Sequence, residues 1–171
     1  MLKTFGFAAL LAAGLASPAL AADTTLTVET SQKCSFDITL RPDLAPKHVA
    51  QIVKLAKSGF YDGIVFHRVI DGFMAQTGDP TGTGMGGSNE PNLEAEFTKT
   101  HFARGTVGMA RSNDPNSANS QFFIMFADGG FLDGQYTVWG QVDEKGMACV
   151  DKITRGEPPQ NPDKMIKVTV K

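Results

Sequence analysis

Apolar and polar residues alternate with period two over Thr24–Thr30, where Leu26 and Val28 are apolar, and over Cys34–Leu40, where Phe36, Ile38 and Leu40 are. Alternation of this kind puts one set of side chains on one face of a strand. Ser31-Gln32-Lys33 joins the two runs and predicts a hairpin. Pro46 then opens a predicted helix, since its missing N–H is harmless in the first turn. Val49, Ile52, Val53 and Ala56 share one face of it, Lys47, Lys54 and Lys57 the other, and Gly59 closes it. Short strand-like runs follow at Ile64–Ile70, Phe73–Thr77, Thr106–Ala110, Gln121–Met125 and Val138–Val142. A second helix fits Met147–Ile153, and Ile166–Val170 alternates as a last strand. About eight strands with only two helices do not form alternating βαβ units. The predicted fold class is mainly β: a closed eight-stranded antiparallel β-barrel capped by two α-helices, because closure removes exposed strand edges.

The N-terminus follows a different pattern. Lys3 supplies a positive charge and Phe5–Ala16 is an unbroken run of 12 small and apolar residues, followed by Ser17-Pro18 and then Ala19-Leu20-Ala21. The run is too short to span a bilayer, which takes about 20 residues. Charge, apolar stretch and small-x-small site together predict a secretory signal peptide over residues 1–21. Residues 22–171 are then one domain of 150 residues, with formal charge −3 once Lys3 is removed. That length supports a single core without obligatory staples. Export makes a disulfide between Cys34 and Cys149 possible. They are 115 positions apart, lack CxxC spacing and have apolar neighbours, so they read as two small core residues.

Composition narrows the function. The chain is 42% hydrophobic and 20% charged, with formal charge −2 and no basic block, which argues against nucleic acid and anionic membrane as partners. Asp79-Pro80-Thr81-Gly82-Thr83-Gly84-Met85-Gly86-Gly87-Ser88 lacks the Lys-Ser/Thr ending of a phosphate loop and reads as a surface loop beside a site. His48, His67 and His101 are scattered, without metal-ligand spacing. No GxSxG elbow supports a hydrolytic triad. What stands out is Arg68 inside the apolar run Phe66–Ile70, followed by Phe73-Met74 and Gln76. Asn119-Ser120-Gln121-Phe122-Phe123 and Phe131-Leu132-Asp133-Gly134 add further aromatic, apolar and amide groups. Together they describe an apolar pocket with one guanidinium and a few amides.

FHRVIxGFMxQxGD, the Gly-rich loop, NSQFFI and FLDGQYTVWGQV occur in that order, and the chain over 24–171 resembles the cyclophilin family of peptidyl-prolyl cis-trans isomerases. The resemblance implies a barrel with a helix over each end and an enzyme that accelerates X-Pro rotation with no cofactor and no metal. Arg68 matches the catalytic arginine. Phe73, Met74, Phe123 and Leu132 match the walls of the proline pocket, with Gln76 near the substrate carbonyl and His67 beside the arginine. Gln121 joins the expected substrate-binding set. Ala110-Arg111-Ser112 matches a run usually written Ala-Asn-Ala, whose main chain pairs with the peptide. Phe131 stands where many eukaryotic members carry Trp, and Tyr136 where they carry His. These departures predict weak cyclosporin binding. The family fold also places Cys34 and Cys149 in the second strand and second helix as apolar fillers, so they are expected not to pair.

The expected function is therefore acceleration of X-Pro rotation during folding of exported proteins. Unfolded or loop X-Pro segments are the expected partners, and the chain is expected to be a monomer. The periplasm is the expected location, with a secreted form as the alternative. A non-catalytic proline-peptide binder or holdase on the same fold is the competing reading; Arg68 discriminates, since a binder can lose it. A hollow lipocalin-like carrier fits less well, because Phe36, Phe66, Phe122 and Phe123 predict a filled interior.

Overall fold

The structure, a computed structural model, describes residues 24–171. The expected leader, residues 1–21, lies outside them. Strands β1 (Thr25–Thr30) and β2 (Ser35–Leu40) form the hairpin that the alternation predicts, with Leu26 opposite Ile38 and Val28 opposite Phe36. These side chains are buried, while Ser35, Asp37 and Thr39 face solvent. Lys33 takes a left-handed φ of 57° to close the turn.

Helix α1 (Pro46–Lys57) buries His48, Val49, Gln51, Ile52, Leu55 and Ala56. Its N-cap residue Ala45 offers no side-chain acceptor. Glu96, from a distant loop, supplies one: its carboxylate accepts from the amides of Lys47 (3.1 Å) and His48 (3.0 Å) and sits at the positive end of the helix dipole. Helix α2 (Glu144–Val150) starts three residues earlier than expected, because Asp143 caps it by accepting from Gly146 N at 2.7 Å.

The remaining strands are β3 (Arg68–Ile70), β4 (Met74–Thr77), β5 (Thr106–Met109), β6 (Phe122–Met125), β7 (Val138–Val142) and β8 (Met165–Val170). All eight join one antiparallel sheet in the order β3-β4-β6-β5-β7-β2-β1-β8. The expected closed barrel is not formed; the sheet is an open half-barrel. Closure would need a ladder between β3 and β8. Strand β3 has only three residues, and the upstream part of the expected run, Ile64–His67, contributes a single bridge, Val65 to Lys164. Hydrogen bonds from Phe66 N to Asp163 O (2.8 Å) and Met165 N to Ile64 O (2.9 Å) cover that seam without extending the ladder.

Two apolar clusters result. The larger one is built around Trp139, Phe122, Tyr61, Phe66 and Ile38, with Phe122 edge-on to Trp139 at 5.3 Å. The smaller one comprises Met74, Phe102, Phe123, Met125, Leu132 and Val138. Adjacent residues of β6 alternate between them, so Phe123, expected both in the filled interior and in the pocket wall, lies in the second cluster and outside the main interior.

Cys34 and Cys149 form a disulfide with Cα atoms 5.8 Å apart, which overturns the expectation of two free thiols. Helix α2 packs on β2, and this brings the residue just before β2 against the last turn of the helix. Closing a loop of 115 residues restricts the unfolded chain, a constraint worth up to about 5 kcal/mol in the chain-entropy model. Replacing Cys149 with Ser should therefore lower unfolding free energy by roughly 2–4 kcal/mol. Urea titration of wild type and Cys149→Ser checks this, and coincident midpoints would show that the link adds nothing.

Candidate active site

The β3–β4 hairpin sets the site's polar edge. Arg68 is directly opposite Gln76 and Ile70 opposite Met74, with Gly72 at φ 68° in the connecting turn. Gln76 is in turn opposite Phe123 on β6, and Phe123 opposite Gly108 on β5. Gly108 is required here. A Cβ at that position would lie 2.6 Å from both the Phe102 and Phe123 rings, which stack with centroids 5.8 Å apart. The stack supports Phe123 from below, and the 3₁₀ turn Gly130–Leu132 brings Leu132 beside it.

These elements enclose a cavity of about 680 Å³. Of the expected site residues, His67, Arg68, Phe73, Met74, Gln76, Ala110, Arg111, Phe123, Leu132 and Tyr136 line it. Ser112 and Gln121 do not; they line an adjoining cavity of about 510 Å³. Phe131 lines neither. Its ring is 66% exposed and leans on Phe73 at 5.5 Å, so it forms the outer rim. Sequence reasoning missed Glu157 and Pro158, which form the wall facing Arg68, whereas the glycine-rich loop expected beside a site does border the cavity, through Gly82–Gly84. Glu157 is 89 positions from Arg68, and no local pattern joins the two.

Arg68 donates from Nε to Glu157 Oε1 at 2.8 Å. Both Nη groups lack a protein acceptor among the described residues and are available to a bound molecule. Gln76 is oriented by a relay of fixed polarity. The carbonyls of Gly84 and Gly86 can only accept, so Gln121 presents Nε2 to them (3.0 and 2.8 Å). Its Oε1 then accepts from Gln76 Nε2 at 2.9 Å, which leaves Gln76 Oε1 as the uncommitted acceptor in the cleft.

The loop carrying those carbonyls is held by Asp79. Its buried carboxylate accepts from the hydroxyl and amide of Thr81 and from the amides of Thr83, Gly84 and Gly86. Burial alone would raise its pKa, but these hydrogen bonds outweigh it and hold the carboxyl at about 2. A Cβ on Gly86 would collide with Asp79 Oδ1. Burial pushes the His67 imidazole below its usual range, and its Nδ1 has no partner, so His67 packs against the loop as a neutral ring.

A family model for "Cyclophilin type peptidyl-prolyl cis-trans isomerase/CLD" matches residues 25–170. The chain belongs to the cyclophilin family. A probable peptidyl-prolyl cis-trans isomerase of Brucella suis is 55% identical over 94% of this chain and 90% of the relative. A peptidyl-prolyl cis-trans isomerase-like 1 protein of Aspergillus oryzae is 39% identical over 80% and 89%. Among solved structures, the cyclophilin AquaCyp293 of Hirschia baltica is similar with TM-score 0.77 and 32% identity, covering 86% of this chain and 73% of that one. A Cryptosporidium parvum cyclophilin, crystallised in the presence of the dipeptide Ala-Pro, gives TM-score 0.78 at 26% identity over 86% and 98%. This cyclophilin is therefore a peptidyl-prolyl cis-trans isomerase.

The 3₁₀ turn under the pocket has its own electrostatic clamp. His101 Nδ1 lies 2.8 Å from Asp133 and Nε2 2.6 Å from Asp128, the two carboxylates that bracket Gly130–Leu132. Hydrogen bonds to Asp133 and then Asp128 raise the His101 pKa above its usual value of about 6.5. The amide of Gly130 and then His101 lower Asp128; His101 and then the amide of Phe102 lower Asp133. A raised histidine stabilises fully below about 6.5 and loses that contribution as pH rises through its folded pKa. Lowered aspartates stabilise above about 3.9 and lose it as pH falls through their folded values. The clamp is thus complete between about pH 4 and 6.5 and opens on its alkaline side. In an NMR titration the His101 ring should give a midpoint above 6.5, displaced downward by Asp133→Asn. A wild-type midpoint at or below 6.5 would exclude the clamp.

Proposed function

We propose that this isomerase acts on X-Pro bonds in exported polypeptides, with Arg68 as its catalytic residue. The carrying observation is a guanidinium anchored through Nε to Glu157, with both Nη groups uncommitted, beside an apolar floor of Met74, Phe123 and Leu132. Rotation about X-Pro breaks amide resonance across a barrier of about 18–20 kcal/mol. As the bond twists, the prolyl nitrogen becomes pyramidal and acquires a lone pair. A cation aimed at that nitrogen stabilises the twisted state more than the planar one, which is the requirement for catalysis. Arginine stays protonated throughout. The apolar floor holds the proline ring while the chain on the other side of the bond turns, and Gln76 Oε1 is the acceptor placed to orient that chain. Reducing a relaxation of roughly 100 s to roughly 1 ms takes about 7 kcal/mol, within reach of one charge-assisted hydrogen bond plus positioning and desolvation.

The presence of Ala-Pro in the Cryptosporidium parvum crystals supports proline-containing peptides as substrates. Unfolded chains and exposed loops are the forms of such peptides that can enter an open cleft. The exported setting is supported by the leader pattern of residues 1–21 and by the Cys34–Cys149 disulfide, a bond that persists in oxidising compartments such as the periplasm. The protein is read as a monomer that engages neither nucleic acid nor membrane after leader removal.

Arg68→Ala should leave a folded protein, since Arg68 is half exposed on an edge strand and its exposed ion pair contributes little to stability. Its kcat/KM should fall by about 10²–10³, as for loss of other preorganised donors, while peptide Kd changes far less. NMR exchange on an X-Pro peptide, with circular dichroism as the folding control, tests this. Near-wild-type turnover in folded Arg68→Ala would remove Arg68 from the mechanism and favour a binding-only role. For export, mass spectrometry of periplasmic protein should find an N-terminus at Ala22. Retention of residues 1–21 in a cytoplasmic fraction would overturn that assignment.

A further inference from the structure

Arg111 occupies the boundary between the two cavities: it lines both, together with Gln76, Gly84 and Ala110. Its guanidinium is held in place. Nε and Nη2 donate to Gln135 O at 3.2 and 2.9 Å, Nη1 donates to Ser112 O at 2.9 Å, and Cζ stacks 4.5 Å from the Tyr136 ring centroid. All these partners are neutral. The other arginines among the described residues, Arg41, Arg68, Arg104 and Arg155, each pair with a carboxylate, and Arg111 does not. No carboxylate lines the second cavity either; its polar side chains are hydroxyls and amides, with Arg111 its only charge. Asp79, the carboxylate at the start of the loop between the cavities, is buried and engaged by the loop's own donors, and Asp114, in the turn after Arg111, accepts from the amide of Asn116.

A preorganised guanidinium with uncompensated charge is a receptor for a carboxylate, since it holds spare N–H donors in a fixed fork. We propose that Arg111 makes this isomerase select X-Pro segments carrying an aspartate or glutamate close to the proline. This rests on the reading of the larger cavity as the proline site. An extended chain advances about 3.3–3.6 Å per residue, so a residue one or two positions from a proline held over Phe123 would present its side chain at the shared boundary. The charge at that boundary comes from the Arg111 side chain, a contribution separate from the main-chain pairing expected of the Ala110-Arg111-Ser112 run.

The test is a peptide panel with Glu, Gln or Lys at each of the two positions on either side of the proline, turned over by wild type, Arg111→Gln, Arg111→Glu and Arg111→Lys. NMR exchange is the readout, because it imposes no protease preference of its own. At one of these positions wild type should favour Glu over Lys in kcat/KM by about fivefold at low salt, the scale of a solvent-exposed ion pair, and the ratio should shrink as salt is added. Arg111→Gln should bring the ratio near one, Arg111→Glu should invert it, and Arg111→Lys should keep part of it, whatever happens to the absolute rate. A wild-type ratio near one at all four positions would overturn the proposal. So would a Glu preference that survives in Arg111→Gln, since its source would then lie elsewhere in the cleft. Absence of turnover on every peptide would remove the isomerase reading of the cavity and this inference with it.

Discussion

Phe122 and Phe123 are neighbours in sequence, and the pleat of β6 sends their rings to opposite faces of one sheet. Phe122 packs against Trp139 and Tyr61 in the main core, while Phe123 stacks on Phe102 and floors the cleft. The same alternation recurs on β4, where Ala75 faces the core and Met74 the site, and on β7 with Trp139 and Val138. The binding floor is therefore the reverse side of the core. Displacing Phe122 would disturb Phe123 through the shared backbone, so the fold's stability and the shape of the cleft are tied to one register. This also explains why Gly108 is glycine: the two-sided burial leaves no room for a Cβ between the Phe102 and Phe123 rings.

Loops make up much of the wall around that floor, and carboxylates organise them where ladders are absent. Asp79 gathers the glycine-rich loop, Glu96 fastens its segment to the start of α1, and Asp163 accepts from Ser31, Gln32 and Thr154 to tie the first hairpin to the chain before β8. Each anion replaces a lattice of backbone pairs with several donors converging on one charge, and hydrogen bonds to ionised groups are the stronger kind. Ordering of this sort is directional. It lets the carbonyls of Gly84 and Gly86 dictate the orientation of the Gln121 amide, and through it that of Gln76.

What was legible in the sequence was what local periodicity and one long motif can encode. The first hairpin, helix α1 and the residues of the β3–β4 hairpin read directly, because alternation or a helical face marks each. The Asp143 cap is readable in principle, since an N-cap acid stands immediately before Glu144, yet the helix expected over Met147–Ile153 begins three residues after the observed one. Other features depend on approach in space. Glu96 caps a helix 49 positions away, Glu157 meets Arg68 across 89, and Cys34 meets Cys149 across 115. No window of the sequence carries those pairings. The failure to close the barrel has the same origin: Ile64–Ile70 has the composition of one strand, yet its first half is claimed by contacts with Asp163 and Met165 that only the tertiary fold supplies.

The two arginines of the cleft differ in what surrounds them, and this separates their chemistry. Arg68 has its charge matched by Glu157, so the pair exerts little net attraction on a distant peptide, while in the proposed mechanism its free Nη edges would act at close range on the nitrogen that changes during rotation. A contact that strengthens only as the bond twists lowers the barrier and appears in kcat. Arg111 is held by neutral groups and has no carboxylate partner, but the carboxylate proposed to bind beside the proline would meet it equally in the planar and twisted states. Such uniform binding changes KM and leaves the chemical step alone. Two guanidiniums on the walls of one cavity can thus serve recognition and catalysis independently, because one is neutralised by a carboxylate and the other is not.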